Sequence, residues 1–124
     1  MKADDERAEL EVGKLTGTGR LGEERTELTM QETGQWLALS ATSAHFFDLD
    51  APSVVRIPGF HAIEFITDGG RTLRSIDVCR VGEVGRWTME PFPFERDLEY
   101  RWHISTPIVK IARVLGLART PAER

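Results

Sequence analysis

The pattern of apolar and polar residues predicts a series of short β-strands from residue 35 onward. Gln35 to Ala41 is apolar enough for a strand that is buried on both faces. Ala44 to Leu49 alternates between apolar and polar positions and predicts a second strand, and Val54 to Ile57 predicts a third. The turn sequence Asp-Ala-Pro-Ser at 50–53 separates the last two. We therefore expect an antiparallel meander of three strands.

A hairpin is predicted around the sequence Asp-Gly-Gly-Arg at 68–71. Hairpin turns favour glycine because they need positive φ angles, and this sequence stands between strand-like runs at 62–67 and 72–81. A further turn is expected at 82–85, before a short strand at 86–89. The two prolines of Pro-Phe-Pro-Phe at 91–94 predict irregular structure there.

The clearest alternation runs from Leu98 to Ile104. We expect its larger apolar side chains to face the core and the polar ones, including His103, to face solvent. The expected core set is Leu98, Tyr100, Trp102 and Ile104, and the expected outer set is Glu99, Arg101 and His103.

Residues 106–116 fit two different elements. Thr106 and Pro107 resemble the start of a helix that would end at Gly116. The β-branched residues between Ile108 and Ile111 favour a strand instead. We favour the strand, followed by an irregular tail.

These elements predict a mainly β protein with six to eight short antiparallel strands in a small barrel or sandwich. Residues 35–124 are expected to form a single β-domain. Residues 1–34 are polar and predict a partly ordered arm, in which Thr26, Leu28 and Met30 alternate like one strand.

Charge is concentrated in this arm and argues against nucleic-acid binding. Residues 1–34 contain nine acidic and five basic residues, whereas residues 35–124 contain eleven of each. Nucleic-acid binding usually requires a net basic face, so nucleic acid is not an expected partner.

The lone cysteine and the hydropathy pattern predict a cytoplasmic protein. Cys79 has no partner for an intramolecular disulfide, as is usual in a reducing compartment. The first residues are charged where a signal peptide would be apolar, and no apolar run approaches the ~20 residues of a membrane span.

Sequence motifs for catalysis, metals or cofactors are weak. Gly17 to Gly22 spells G-x-G-x-x-G, but residues 23–32 lack the apolar stripe of the helix that a dinucleotide site needs. His45, His61 and His103 have no metal-ligand spacing, and no serine lies in G-x-S-x-G. We therefore predict no catalytic residue, no metal site and no cofactor.

Three stretches of the chain are distinctive: HFFDLDAPSVVRIPG at 45–59, VGEVGRW at 81–87 and YRWHISTPIVKIARV at 100–114. They resemble a group of small uncharacterised β-domain proteins of actinobacteria and their phages. The resemblance implies an intracellular β-domain and singles out Asp48, Asp50 and Arg56 as candidate binding residues. Asp48 and Asp50 also fit a purely structural role in the turn at the end of a strand, because aspartate favours turns.

The function predicted from these features is that of a non-enzymatic module that binds a protein partner or a second copy of itself. The strands at 98–104 and 54–57 are candidate edges for pairing with a partner strand. The alternative is a small hydrolase, such as a ribonuclease that uses histidine and arginine. A third hypothesis, single-stranded nucleic-acid binding on a barrel face, is disfavoured by the neutral body.

Overall fold

The computed structural model describes residues 20–58 and 69–115. In these ranges the chain forms seven strands and no helix: β1 (Arg20–Arg25), β2 (Gln35–Ser40), β3 (Ser43–Asp48), β4 (Ser53–Pro58), β5 (Gly69–Val78), β6 (Val84–Met89) and β7 (Arg101–Leu115). The described ranges accordingly contain no helix that could cross a membrane.

Six of the strands close into an antiparallel barrel. Each strand from β2 to β6 pairs with the next one in the chain, β6 pairs with β7, and β7 returns to pair with β2. β1 is an extra strand, which pairs with β7 outside this ring. The prediction of a mainly β protein folded as a small barrel or sandwich is confirmed, and the architecture is the barrel.

The long strand β7 holds the two sides of the barrel together. Its first half, from Arg101 to Pro107, pairs with β6, and the residues from Ile108 to Arg113 pair with β2. Residues 111–115, which come after the part of β7 that pairs with β6, also pair with β1. The strand predicted for residues 106–116 is thus confirmed as far as Leu115, and the predicted tail lies outside the described residues.

The barrel interior is filled by one apolar cluster to which every barrel strand contributes. Because side chains alternate between the two faces of a strand, Trp36 and Ala38 point inward while Leu37 and Leu39 point outward. The interior cluster contains Leu28, Trp36, Ala38, Phe47, Val54, Leu73, Cys79, Trp87, Met89, Ile108 and Ile111. A second, smaller cluster on the outer face contains Leu37, Leu39, Ala44 and Val114, which explains why β2 is buried on both faces.

The strand predicted from Leu98 begins at Arg101, and its predicted orientation is wrong for Trp102, His103 and Ile104. Trp102 and Ile104 are 47% and 58% exposed, whereas His103 is buried. The interior beside this strand is already occupied by the large ring of Trp87, the cross-strand partner of His103. The smaller polar side chains therefore point inward and the larger apolar ones outward.

The predicted hairpin turn is also wrong at the residues that the structure describes. Gly69, Gly70 and Arg71 are the first residues of β5 and pair with Arg56, Val55 and Val54 of β4. The predicted strand at 62–67, like Asp68, lies outside the described residues. Strand β5 therefore begins three residues earlier than the pattern indicates.

Of the two predicted edges, the strand at 54–57 is not an edge, because β4 is paired with β3 on one side and with β5 on the other. The first half of β7 pairs with β6 on one side, and no described strand pairs with its other side. The described part of the N-terminal segment packs against the barrel, since β1 pairs with β7 and Leu28 is buried in the interior cluster. Thr26 to Met30 is not a strand; Glu27 makes a single bridge to Arg80.

Candidate functional site

Asp48 and Asp50 organise the turn between β3 and β4. The Asp48 Oδ1 atom accepts hydrogen bonds from the backbone N–H groups of Asp50 (3.1 Å) and Ala51 (3.3 Å). The same atom accepts one from Gln35 Nε2 (3.0 Å) on the neighbouring strand β2. Asp50 Oδ1 accepts from the N–H of Gly34 (2.9 Å). Both carboxylates thus tie this turn to the start of β2.

Arg56 lies apart from these two carboxylates. Asp48 pairs with Ser53 at the start of β4, whereas Arg56 pairs with His45 three residues further along. A strand rises about 3.4 Å per residue, so this places Arg56 about 10 Å from the turn. The three candidate binding residues therefore do not form one site, although Arg56 does lie beside a histidine.

Two histidines meet inside the barrel. The ring of His103 stacks on Trp87 with a centroid distance of 5.1 Å, and His45 contacts the same indole edge-on at 4.9 Å. The two imidazole centroids are 5.3 Å apart. Both histidines are buried, with His45 1% exposed and His103 8% exposed, so a polymer cannot reach them. The third histidine, His61, lies outside the described residues.

The serine residues Ser40 and Ser105 are buried in the barrel. Ser105 Oγ accepts a hydrogen bond from the N–H of Gly85 (2.9 Å) and donates one to the Thr106 carbonyl (2.6 Å). Ser40 Oγ accepts from the N–H of Ser43 (3.2 Å) at the β2–β3 turn. These hydroxyls satisfy buried backbone groups, which is a structural role.

Cysteine chemistry and phosphate binding are not supported by the described geometry. Burial, with a smaller contribution from the Glu27 carboxylate, raises the pKa of the Cys79 thiol to about 12, so the nucleophilic thiolate is scarce. Gly22 lies within β1, and residues 23–32 contain no helix whose N-terminus could face a phosphate. The described residues contain no group of three His, Cys, Asp or Glu side chains that could hold a metal ion.

The exposed surface with the most distinctive chemistry is the outer face of β5, β6 and β7. Cross-strand pairing builds two rows of side chains there: Ser75, Thr88 and Trp102 in one, and Val78, Arg86 and Ile104 in the other. We call this surface the aromatic face and include in it the flanking residues Arg74, Asp77, Glu83, Val84 and Tyr100.

Two shallow grooves follow the two rows. The first has a volume of about 240 Å³ and is lined by Arg74, Ser75, Asp77, Thr88, Tyr100 and Trp102. The second has a volume of about 470 Å³ and is lined by Val78, Glu83, Val84, Arg86 and Ile104. Arg86 and Trp102 contact each other and belong to different grooves, so the two grooves are adjacent.

Arginine–aromatic stacking organises the aromatic face. The Tyr100 and Trp102 rings meet edge to face, with centroids 5.6 Å apart. The guanidinium of Arg74 lies 4.7 Å from the Tyr100 ring centroid, and that of Arg86 lies 4.9 Å from the Trp102 centroid. Such contacts hold long side chains in place, so this surface is partly preorganised.

The position of Arg74, Arg86 and Thr88 on the aromatic face was not evident from the sequence. Alternation along one strand shows that Tyr100, Trp102 and Ile104 share a face, but the neighbours of these residues depend on the pairing register of three strands. That register includes bulges in β5, which no sequence motif marks.

Comparison of the chain with protein-family models, with curated proteins and with solved structures found no match. The geometry of these surfaces is therefore the basis for assigning a function.

Proposed function

We propose that this protein is a non-enzymatic module that binds a protein partner through the aromatic face. The observation that carries the proposal is the exposure of Trp102 and Ile104, at 47% and 58%, on the outer side of a strand whose inner side fills the core. Val84 adds a third exposed apolar side chain to the same face. Grouped exposed apolar residues with a polar surround are typical of interaction sites.

The residue types of this face favour a protein partner. Tryptophan, tyrosine and arginine dominate the energetic centres of protein interfaces, and Trp102, Tyr100 and Arg86 lie together here. The grooves contain two arginines, Arg74 and Arg86, and two carboxylates, Asp77 and Glu83, so their formal charges balance. A polyanion such as nucleic acid would gain little from this surface.

The hydrolase alternative has less support. It requires an accessible histidine as general acid or base, and His45 and His103 are both buried beside Trp87. Arg56 lies next to His45, but a substrate would have to enter the packed interior to reach the pair.

A cytoplasmic location remains part of the proposal, because a single thiol suits a reducing compartment.

The experiment that tests the proposal compares capture by the wild-type protein and by Trp102→Ala from lysate of the source cells. Any captured protein is then purified, and its affinity is measured with both forms. Truncation of a tryptophan at an interface centre costs ~2 kcal/mol or more, so we expect an affinity loss of about 30-fold or greater. Val109→Ala is the control, since Val109 is exposed on β7 outside the aromatic face.

Sedimentation equilibrium shows whether the partner is a second copy. A wild-type dimer that dissociates in Trp102→Ala would support self-association through this face. A monomer that captures no protein, or a partner whose affinity is the same for the wild type and Trp102→Ala, would refute the proposal.

A further inference from the structure

The aromatic face carries hydrogen-bonding groups that have no partner among the described residues, and most of these open groups are donors. Ser75 and Thr88 are not open, because their hydroxyls bond each other at 2.7 Å and Ser75 also bonds Asp77. Among the described residues, no hydrogen bond engages the Tyr100 hydroxyl, the Trp102 indole N–H or the Arg86 guanidinium. Asp77 supplies the one carboxylate of the first groove, and its Oδ1 atom already accepts the hydrogen bond from Ser75. A complementary ligand therefore presents acceptors and few donors.

A proline-rich segment has this chemistry. Proline residues lack the backbone N–H but keep the carbonyl, and the polyproline II helix makes no internal hydrogen bonds. Its carbonyls are free to accept, and its rings pack on flat aromatic side chains. Aromatic-lined grooves are a common way to bind such segments, because the ligand is already extended and loses little entropy.

We propose that the aromatic face binds a proline-rich segment of its partner, in the polyproline II conformation. This inference rests on the function proposed above and specifies the ligand of the same surface. Proline rings lie in the first groove, which Tyr100 and Trp102 line together, and an apolar residue of the ligand fills the second groove against Val84 and Ile104. The Trp102 and Tyr100 donors bind ligand carbonyls between these two positions.

Two other ligand classes fit the face less well. A quaternary ammonium group is a cation, and the guanidinium groups of Arg74 and Arg86 already place positive charge against the two rings and would repel it. A single-stranded nucleic acid would stack on the same rings, but the balanced charges of the grooves provide no net attraction for its phosphates.

The intrinsic fluorescence of Trp102 provides a direct test. Of the three tryptophans, Trp36 and Trp87 are 0% and 1% exposed and Trp102 is 47% exposed, so a ligand on this face changes chiefly the Trp102 emission. The probe is a proline decapeptide with blocked ends, and a blocked Gly-Ser decapeptide of the same length is its control. We expect a saturable blue shift with the proline peptide alone, and no shift in Trp102→Phe when the same titration is repeated.

Variants of Tyr100 separate the roles of its ring and its hydroxyl. Tyr100→Phe removes only the donor, and we expect about threefold to tenfold weaker binding of the proline peptide. Tyr100→Ala removes the groove wall as well and should weaken binding further. Val109→Ala should bind as the wild type does. Circular dichroism of each variant verifies that the barrel is retained.

The outcomes distinguish this inference from the function on which it rests. No shift with the proline peptide, an equal shift with the Gly-Ser peptide, or full binding by Tyr100→Ala would overturn the proline-rich ligand. If the captured protein still depends on Trp102 in that case, the binding function stands and its ligand is of another kind. If that protein binds independently of Trp102, the proposed function of the aromatic face is refuted as well.

Discussion

At the scale of single residues, Gly85 shows how closely the interior of the barrel is packed. A Cβ atom at this position would lie 2.6 Å from Cζ3 of Trp87 and 2.7 Å from Oγ of Ser105. Both neighbours are buried and fixed, Trp87 by His45 and His103 and Ser105 by two hydrogen bonds. The absence of a side chain at Gly85 is therefore what lets β6 and β7 approach around the indole.

Replacing Gly85 by alanine should destabilise the protein. Overpacking in a filled core costs about 1–3 kcal/mol, and we expect Gly85→Ala to lower the free energy of unfolding by this amount in urea titrations. Gly70→Ala is the matched control, because its Cβ would lie 3.8 Å from Val55 Cγ2, which is ordinary contact. Equal stability of Gly85→Ala and Gly70→Ala would show that the Trp87 region yields more easily than its contacts indicate.

At the scale of elements, the connection between β6 and β7 is held by one acidic side chain. Glu95 forms an ion pair with Arg101 at the start of β7, and its Oε1 atom accepts a hydrogen bond from the N–H of Phe92 (2.7 Å). The guanidinium of Arg71 on β5 lies 3.7 Å from the Phe92 ring centroid and donates to the Glu90 carbonyl (2.8 Å). The connection is thus fixed to β5 and β7 despite its two prolines.

The stability of this connection should depend on pH. The hydrogen bond from Arg101, together with that from Phe92, lowers the pKa of Glu95 below its ordinary value. A carboxyl group with a lowered pKa in the folded state stabilises the fold above its unfolded pKa of about 4.3, and the contribution is lost as pH falls through the folded pKa. Glu95→Gln removes the charge and should flatten this acid decline.

The measurement is the free energy of unfolding of wild type and Glu95→Gln between neutral pH and about pH 3. The two curves should differ most at neutral pH and converge in acid. Glu99→Gln is the control, since Glu99 is exposed and makes no ion pair among the described residues. Parallel curves for wild type and Glu95→Gln would contradict a coupled titration of this group.

The elements that the sequence predicted well are those whose boundaries are determined by neighbouring residues in the sequence. β2, β3 and β4 have strong alternation or apolar runs, and turn residues separate β3 from β4, so their bounds match within one residue. The orientation of β7 was not predictable in this way. Alternation defines its two faces, but which face is inside depends on Trp87 from β6 and on a register shift before Ile108.

The candidate site residues also divide into those whose roles follow from the adjacent sequence and those whose roles depend on strand pairing. The turn roles of Asp48 and Asp50 follow from aspartate chemistry in a D-L-D-A-P sequence, and the structure gives both carboxylates local hydrogen bonds. The aromatic face joins residues from three strands that are far apart in the sequence, such as Ser75 and Trp102. Only the pairing of the strands brings them together.

At the scale of the whole molecule, the two buried tryptophans belong to one continuous core. Trp36 on β2 and Trp87 on β6 are both members of the interior cluster, which contains side chains from all six barrel strands. β7 pairs with β6 through one half and with β2 through the other, so the ring has no internal boundary at which one side could separate. This arrangement favours unfolding as a single unit.

A variant with only the buried tryptophans tests this cooperativity. Trp102→Phe removes the exposed indole, so the remaining fluorescence reports the surroundings of Trp36 and Trp87 alone. In urea, the fluorescence transition of this variant should coincide with the loss of β-structure measured by circular dichroism, because the core and the sheet depend on the same closure. A fluorescence change at a clearly lower urea concentration would mean that the core around one tryptophan opens first. In that case, the pairing of β7 with both neighbours would not be enough to couple the two sides of the barrel.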